Sequence, residues 1–191
     1  MRPIRLALAA LIVLATTVAW AADPGGDVVI LSPYRSLAGA NARPRLQPHA
    51  GVDFAAPVGT GVLAAADGVV SLLIDYEAGC GVGVVLAHRA FRRWTVYCHL
   101  TRALVASGQA VSRGQVIGLS GASGNSANVP HVHLELCTSA CASRRDGDLR
   151  GTQDPLALTV GCYDPDRVYP ADRLVLTYPL ECHRGVKDAR G

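Results

Sequence analysis

From His49 onward the chain is built of short apolar runs separated by glycine and polar residues. The runs 62–66, 68–75, 82–88, 94–100, 115–119 and 131–137 are dominated by Val, Ile, Leu, Tyr and Trp. Gly, Ser, Asp or Arg bounds each of them, which is the signature of strands. No long stretch repeats its apolar positions at helical spacing, so helices should be few and short. The pattern predicts a mainly β fold, an antiparallel β-sandwich or folded sheet. Residues 22–45, rich in Pro, Gly, Ala and Arg, read as a leader segment, residues 46–158 as the domain, and 159–191 as an extension. If Cys162 and Cys182 pair, that extension is a stapled appendage, too short to sustain a core of its own. The polar stretch from Asp146 to Asp154 is expected to be an exposed loop.

The first residues follow a different pattern. A basic start (Arg2, Arg5) precedes an apolar run from Leu6 to Val18, then Ala19-Trp20-Ala21 before Ala22. This reads as a secretory signal over residues 1–21, cleaved after Ala21. An uncleaved anchor is the alternative, but the run is short for a span and Thr16 and Thr17 interrupt it. No transmembrane segment is expected in the mature chain. The first cysteine is Cys80, so none near the cleavage site could carry a lipid. Export implies periplasmic or extracellular residence, with the periplasm favoured by the cysteines.

All 6 cysteines lie downstream of that signal, and an even number in an exported chain implies disulfides. Pairing by proximity gives Cys80–Cys98, Cys137–Cys141 and Cys162–Cys182. A metal site at Cys137 and Cys141 is weaker, because nothing nearby completes a ligand set. The formal charge of +3 moves toward neutral once Arg2 and Arg5 are removed, which gives no footprint for nucleic acid. A domain of this size can carry a deep site alone, and a monomer is expected.

The candidate chemistry lies in three short segments. His49 and Asp53, four apart with Gly51 and Val52 between them, share a face, although such a pair is often only a surface hydrogen bond. Pro130 discourages a helix before His131-Val132-His133, and in a strand positions two apart project the same way. Such a pair could line a solvated face, but Val132, Leu134 and Leu136 supply the apolar alternate face of a strand packed on a core. His99, in Tyr97-Cys98-His99-Leu100, would alone be an ordinary strand histidine. Together they draw heavily on the 6 histidines of the chain. Catalytic zinc takes three N or O ligands and keeps one position for water. Two histidines and a carboxylate fit that set, and the remaining histidines fit acid–base and orienting roles.

These segments occur in the order and approximate spacing found in the lysostaphin/LytM-type zinc metallopeptidases, the peptidoglycan endopeptidases, and the chain resembles that family over roughly 46–158. The run from Gly51 to Thr60, the turn Ala66-Asp67-Gly68-Val69-Val70, and Gly118, Gly121, Gly124 and Ser126 before the His-x-His strand resemble the family's segments too. The resemblance implies His49, Asp53 and His133 as ligands of one Zn2+. It implies His99 and His131 as the non-ligand pair around the reacting water and the oxyanion. One departure is the loop before Pro130, where Asn128-Val129 stands one residue longer than the family's usual glycine; this bears on substrate preference. His88 is assigned a structural role at a strand end, and His183 none in catalysis.

The implied function is a secreted zinc metalloendopeptidase acting on peptidoglycan stem or cross-link peptides. Two alternatives share the scaffold. An inactive amidase-activating module would be expected to have lost ligands, whereas all five positions are filled here. A bacteriolytic or general secreted protease would use the same site on other targets.

Overall fold

The computed structural model describes residues 28–126, 128–138, 149 and 151–182. The expected signal over 1–21, Cys141 and residues 146–148 and 150 of the expected polar loop, and the tail with His183 lie outside the described residues.

Ten strands are formed among the described residues. They are β1 (Ile30–Ser32), β2 (Val52–Ala55), β3 (Gly61–Leu63), β4 (Gly68–Asp75), β5 (Val82–His88), β6 (Arg93–Ala103), β7 (Ala110–Val111), β8 (Val116–Ser120), β9 (His131–Cys137) and β10 (Thr152–Gln153). All pair antiparallel, in the order β1-β2-β9-β6-β5-β4-β7, with β10 on β9 and β8 joining β3 to β6. The fold is the expected mainly antiparallel β architecture. Helix among the described residues is confined to 3-10 turns at Arg89–Phe91 and Pro155–Leu158. The second is started by the Asp154 carboxylate, which accepts from the Leu156 N–H, with Pro155 preset for the turn. No helix among the described residues is long and apolar enough to cross a membrane.

The central strand β6 folds the sheet. Its first half, Trp94 to Cys98, pairs with β9, whereas Leu100 to Ala103 pair with β8. The change of partner falls at His99, whose φ of 63° is left-handed. Opposite it on β5, Val84 faces Tyr97 and Val82 faces Leu100, so Cys98 and His99 together oppose Gly83 in a bulge.

Both faces of the central strands are covered, which explains why Val82–His88 is apolar almost throughout rather than alternating. One face carries the main core, with Phe54, Val62, Leu86, Tyr97, Leu100, Ile117, Leu134 and Leu136 buried. The other carries a smaller cluster of Ile74, Val85, Val96, Cys98 and Cys137, with Cys80 and Trp94 against it. The residues beyond 158 share the main core: Leu174, Leu176 and Leu180 are buried in it. Their backbone is tied there by Leu63 N–H to Pro179 O and Thr177 N–H to Ala65 O, at 2.8 and 2.9 Å. Disulfides join Cys80 to Cys98 and Cys162 to Cys182. Cys137 is disulfide-bonded too, and its expected partner lies outside the described residues.

Strands β4, β5 and β9 have the expected bounds. The expected 62–66 strand is instead the shorter β3, because Ala64 and Ala65 turn their hydrogen bonds to Gln115, to the Tyr97 hydroxyl and to the C-terminal segment. β1 was not expected; it lies in the leader and pairs with β2.

Candidate metal centre

Strands β2 and β9 run side by side with Asp53 opposite His133 and Ala55 opposite His131. Gly51, just before β2, lets the two backbones close up: a Cβ there would sit 2.3 Å from Leu134 O and 2.9 Å from the His133 ring. His49 stands ahead of the strand rather than in it. Its backbone is held by His49 N–H to Ser36 O and by Arg35 N–H to His49 O, at 3.0 and 2.8 Å.

All five expected histidine and aspartate positions come together. Asp53 is fully buried, and its Oδ1 lies 2.8 Å from His133 Nδ1, 3.1 Å from His49 Nε2 and 3.4 Å from His131 Nε2. His49 Nε2 and His133 Nδ1 are 2.9 Å apart. The His99 and His131 rings lie side by side at 4.6 Å between centroids, and the His99 ring is 5.9 Å from that of His133.

The outer nitrogens define which inner ones carry lone pairs. Ser32 Oγ donates to Ala38 O at 2.6 Å, so it accepts from His49 Nδ1–H, which also faces Pro33 O; both distances to Nδ1 are 3.1 Å. His131 Nδ1–H donates to Val129 O at 2.7 Å and His99 Nδ1–H to Ser123 O at 2.8 Å. His133 Nε2–H donates to the Glu135 carboxylate at 3.2 Å. Hence Nε2 of His49, Nδ1 of His133 and Oδ1 of Asp53 offer lone pairs to one point, each outer atom tied to a partner. These three candidate ligand atoms lie within 4.8 Å of one another. This donor set, two imidazoles and a carboxylate with oriented outer atoms, is the one an open zinc site needs.

The electrostatics agree with a site built for positive charge. With no cation between them the inner nitrogens can carry protons instead of lone pairs, and hydrogen bonds from His131, His133 and His49 then hold the Asp53 carboxylate, against its burial, far below the usual carboxylate range. Burial also opposes a charge on His133, but Asp53 and Glu135 raise its pKa to about 9. Burial lowers His49, against the pull of Asp53. His99 falls to about 3, first through burial and then through the neighbouring His133 and His131. It therefore stays neutral, with Nε2 free of a proton, across the physiological range.

Three contributors were not anticipated. Arg45 donates to Asp53 Oδ2 at 2.7 Å, Ser32 fixes His49, and Glu135 fixes His133. Glu135 was findable, since it follows His133 by two residues on the same strand face. His88 takes part in a separate buried set: Nδ1–H donates to Asp67 O at 2.7 Å and Nε2 is 2.9 Å from Thr95 Oγ1.

Residues 47–144 match Peptidase family M23, and the chain belongs to that family. Members hydrolyse peptide bonds in peptidoglycan and depend on zinc, although some are inactive. Over 92 residues the chain is 47% identical to the peptidoglycan DD-endopeptidase ShyA of Vibrio cholerae, a match covering 48% of this chain and 21% of that protein. In structure it is similar to the catalytic domain of the prophage-encoded M23 protein EnpA from Enterococcus faecalis. The TM-score is 0.53 with 32% identity, covering 71% of this chain and 95% of the other. The catalytic domain of lysostaphin from Staphylococcus simulans gives a TM-score of 0.53 at 26% identity, covering 69% and 90%. The chain spans about a fifth of the length of the curated relatives it matches.

Proposed function

We propose that this protein is an exported zinc metalloendopeptidase that cleaves peptide bonds in the stem or cross-link peptides of peptidoglycan, acting as a monomer in the periplasm or outside the cell. The observation that carries the reading is the convergence of His49 Nε2, Asp53 Oδ1 and His133 Nδ1, with two further histidines at the same point whose Nδ1 atoms are already committed to backbone carbonyls. Family membership supports the substrate class.

In this reading His49, Asp53 and His133 hold the ion. A bound zinc would lower the pKa of its water from ~15.7 toward ~7 and polarise the scissile carbonyl. His131 and His99 are fixed with Nε2 directed inward, which suits them to accept the proton of the attacking water, to donate to the developing oxyanion and to return a proton to the leaving amine. Arg45 takes up Asp53 Oδ2, so Oδ1 is left as the ligand atom. Glu135 holds the His133 tautomer that exposes Nδ1.

Incubation of the purified protein with peptidoglycans of defined cross-link chemistry, followed by mass spectrometry of the released muropeptides, tests this. Products with a cut peptide bond, abolished by a chelator and restored by zinc, are expected. Zinc-loaded, folded protein that cut no peptidoglycan but enhanced an amidase would place it with the activators instead.

A further inference from the structure

His99 sits in a backbone conformation that is costly for any residue with a Cβ, at the point where β6 changes partner. Such a residue persists only where its surroundings over-determine it, and two loops do so here. From the loop before β5, the Cys80 carbonyl accepts the His99 N–H at 2.9 Å. From the loop after β8, the Ser123 carbonyl accepts His99 Nδ1–H at 2.8 Å. Ser123 Oγ then accepts from Val82 N–H at 2.9 Å and donates to Leu100 O at 2.7 Å, bracketing the bulge on both strands.

The two loops meet backbone to backbone. Asn125 N–H donates to Gly79 O at 2.9 Å, and a Cβ on Gly124 would come within 2.4 Å of Gly81 N. Cys80 apart, no apolar side chain holds the first loop to the core, since Tyr76, Glu77 and Ala78 are exposed. What anchors it is the Cys80–Cys98 disulfide, made to the residue beside His99. The Cys80 sulfur occupies the space above the bulge, 2.6 Å from where a Cβ on Gly83 would stand.

We propose that Cys80, through its disulfide to Cys98, is the positioning residue for His99: the bond holds the loop whose carbonyl fixes the His99 backbone and against which the Ser123 loop packs. The proposal rests on reading His99 as a member of the reacting site. The ordinary alternative, a bond that only stabilises the domain, makes a different forecast. Cys162–Cys182 closes a loop of similar length, with a separation of 20 residues against 18, so loop closure alone would give the two bonds comparable effects.

The test compares the C80S/C98S and C162S/C182S proteins with the unaltered one. Three quantities are read: hydrogen exchange of the His99 amide and the imidazole 15N spectrum, zinc content, and kcat and KM on peptidoglycan, with and without H99A. In C80S/C98S the His99 amide should exchange at least about tenfold faster and its imidazole signals should broaden, while zinc content holds, because the hydrogen bonds that orient His49, Asp53 and His133 come from Ser32, Pro33, Arg45 and Glu135. General acid–base groups contribute roughly 10²–10⁴-fold, so kcat should fall by on the order of tenfold or more with little change in KM. In the H99A background the same change should cost nothing further. C162S/C182S should leave the His99 signals as they were. If C80S/C98S does not fold, S123A should loosen the same imidazole. The proposal is overturned if the His99 amide and ring are unchanged, if C162S/C182S perturbs them equally, or if the rate loss persists undiminished in H99A. The exchange and spectral readouts need no turnover, so they decide the positioning role even if the peptidase reading itself fails.

Discussion

Arg45 and Asp53 divide one carboxylate between two tasks: the guanidinium takes Oδ2 at 2.7 Å, and Oδ1 is left facing three imidazoles. Partners of this kind around a metal ligand are typically worth about 10–100-fold in affinity. R45A should therefore weaken zinc binding by roughly that factor without unfolding the protein, since Arg45 is about a third exposed (32%). R45K, a point charge in place of a planar fork, should recover part of the loss. Competition against a chromophoric chelator measures both, and an R45A affinity equal to that of the native protein would remove Arg45 from the site.

The two histidines of His131-Val132-His133 should separate cleanly. H133A removes a proposed ligand atom and should lose zinc by a large factor. H131A leaves the three ligands and should keep near-stoichiometric zinc while losing roughly 10²–10⁴-fold in rate. Metal content and turnover must be measured on the same folded samples. Zinc released by H131A and retained by H133A would reverse the roles.

His88 should give the fold a pH signature independent of the metal centre. Burial lowers its pKa, so the folded state keeps it neutral where the unfolded chain, near 6.5, takes up a proton. Its contribution is then fully present above about pH 6.5 and is lost as the pH falls below that toward its folded value. Denaturant titrations of the native protein and H88Q should show a native advantage that is constant above about pH 7 and shrinks on acidification. An advantage that grew on acidification would contradict the burial argument.

Leu176 lies outside the residues that match the family, yet it is fully buried in the main core. L176A should destabilise the domain by about 2–5 kcal/mol. Chemical denaturation measures this, and a cost under about 0.5 kcal/mol, typical of surface changes, would mean that the segment after 158 is not part of the cooperative unit.

Much of the fold was legible because its central strands obey simple patterns. Val82–His88 is a continuous apolar run between a glycine turn and an arginine-rich one, and His131–Cys137 alternates after a proline. The gathering of His49, Asp53, His99, His131 and His133 was legible from spacing and resemblance. What was hidden depends on tertiary partners. Nothing local marks His99 as left-handed: the two loops impose it. Nothing local ends β3 at Leu63, since the hydrogen bonds of Ala64 and Ala65 go to residues far along the chain. Arg45 reads as one arginine among several until the fold brings it to Asp53.

The burial of Leu174, Leu176 and Leu180 in the main core has a consequence for the order of events in synthesis. The core cannot close until nearly the whole described chain is available, and the bond from Cys162 to Cys182 must wait for the same stretch. Under the proposed export, a chain threaded through a membrane from its N-terminus would deliver all five site residues before the segment that completes their support. The proposed site would thus stay unsupported until that segment had crossed.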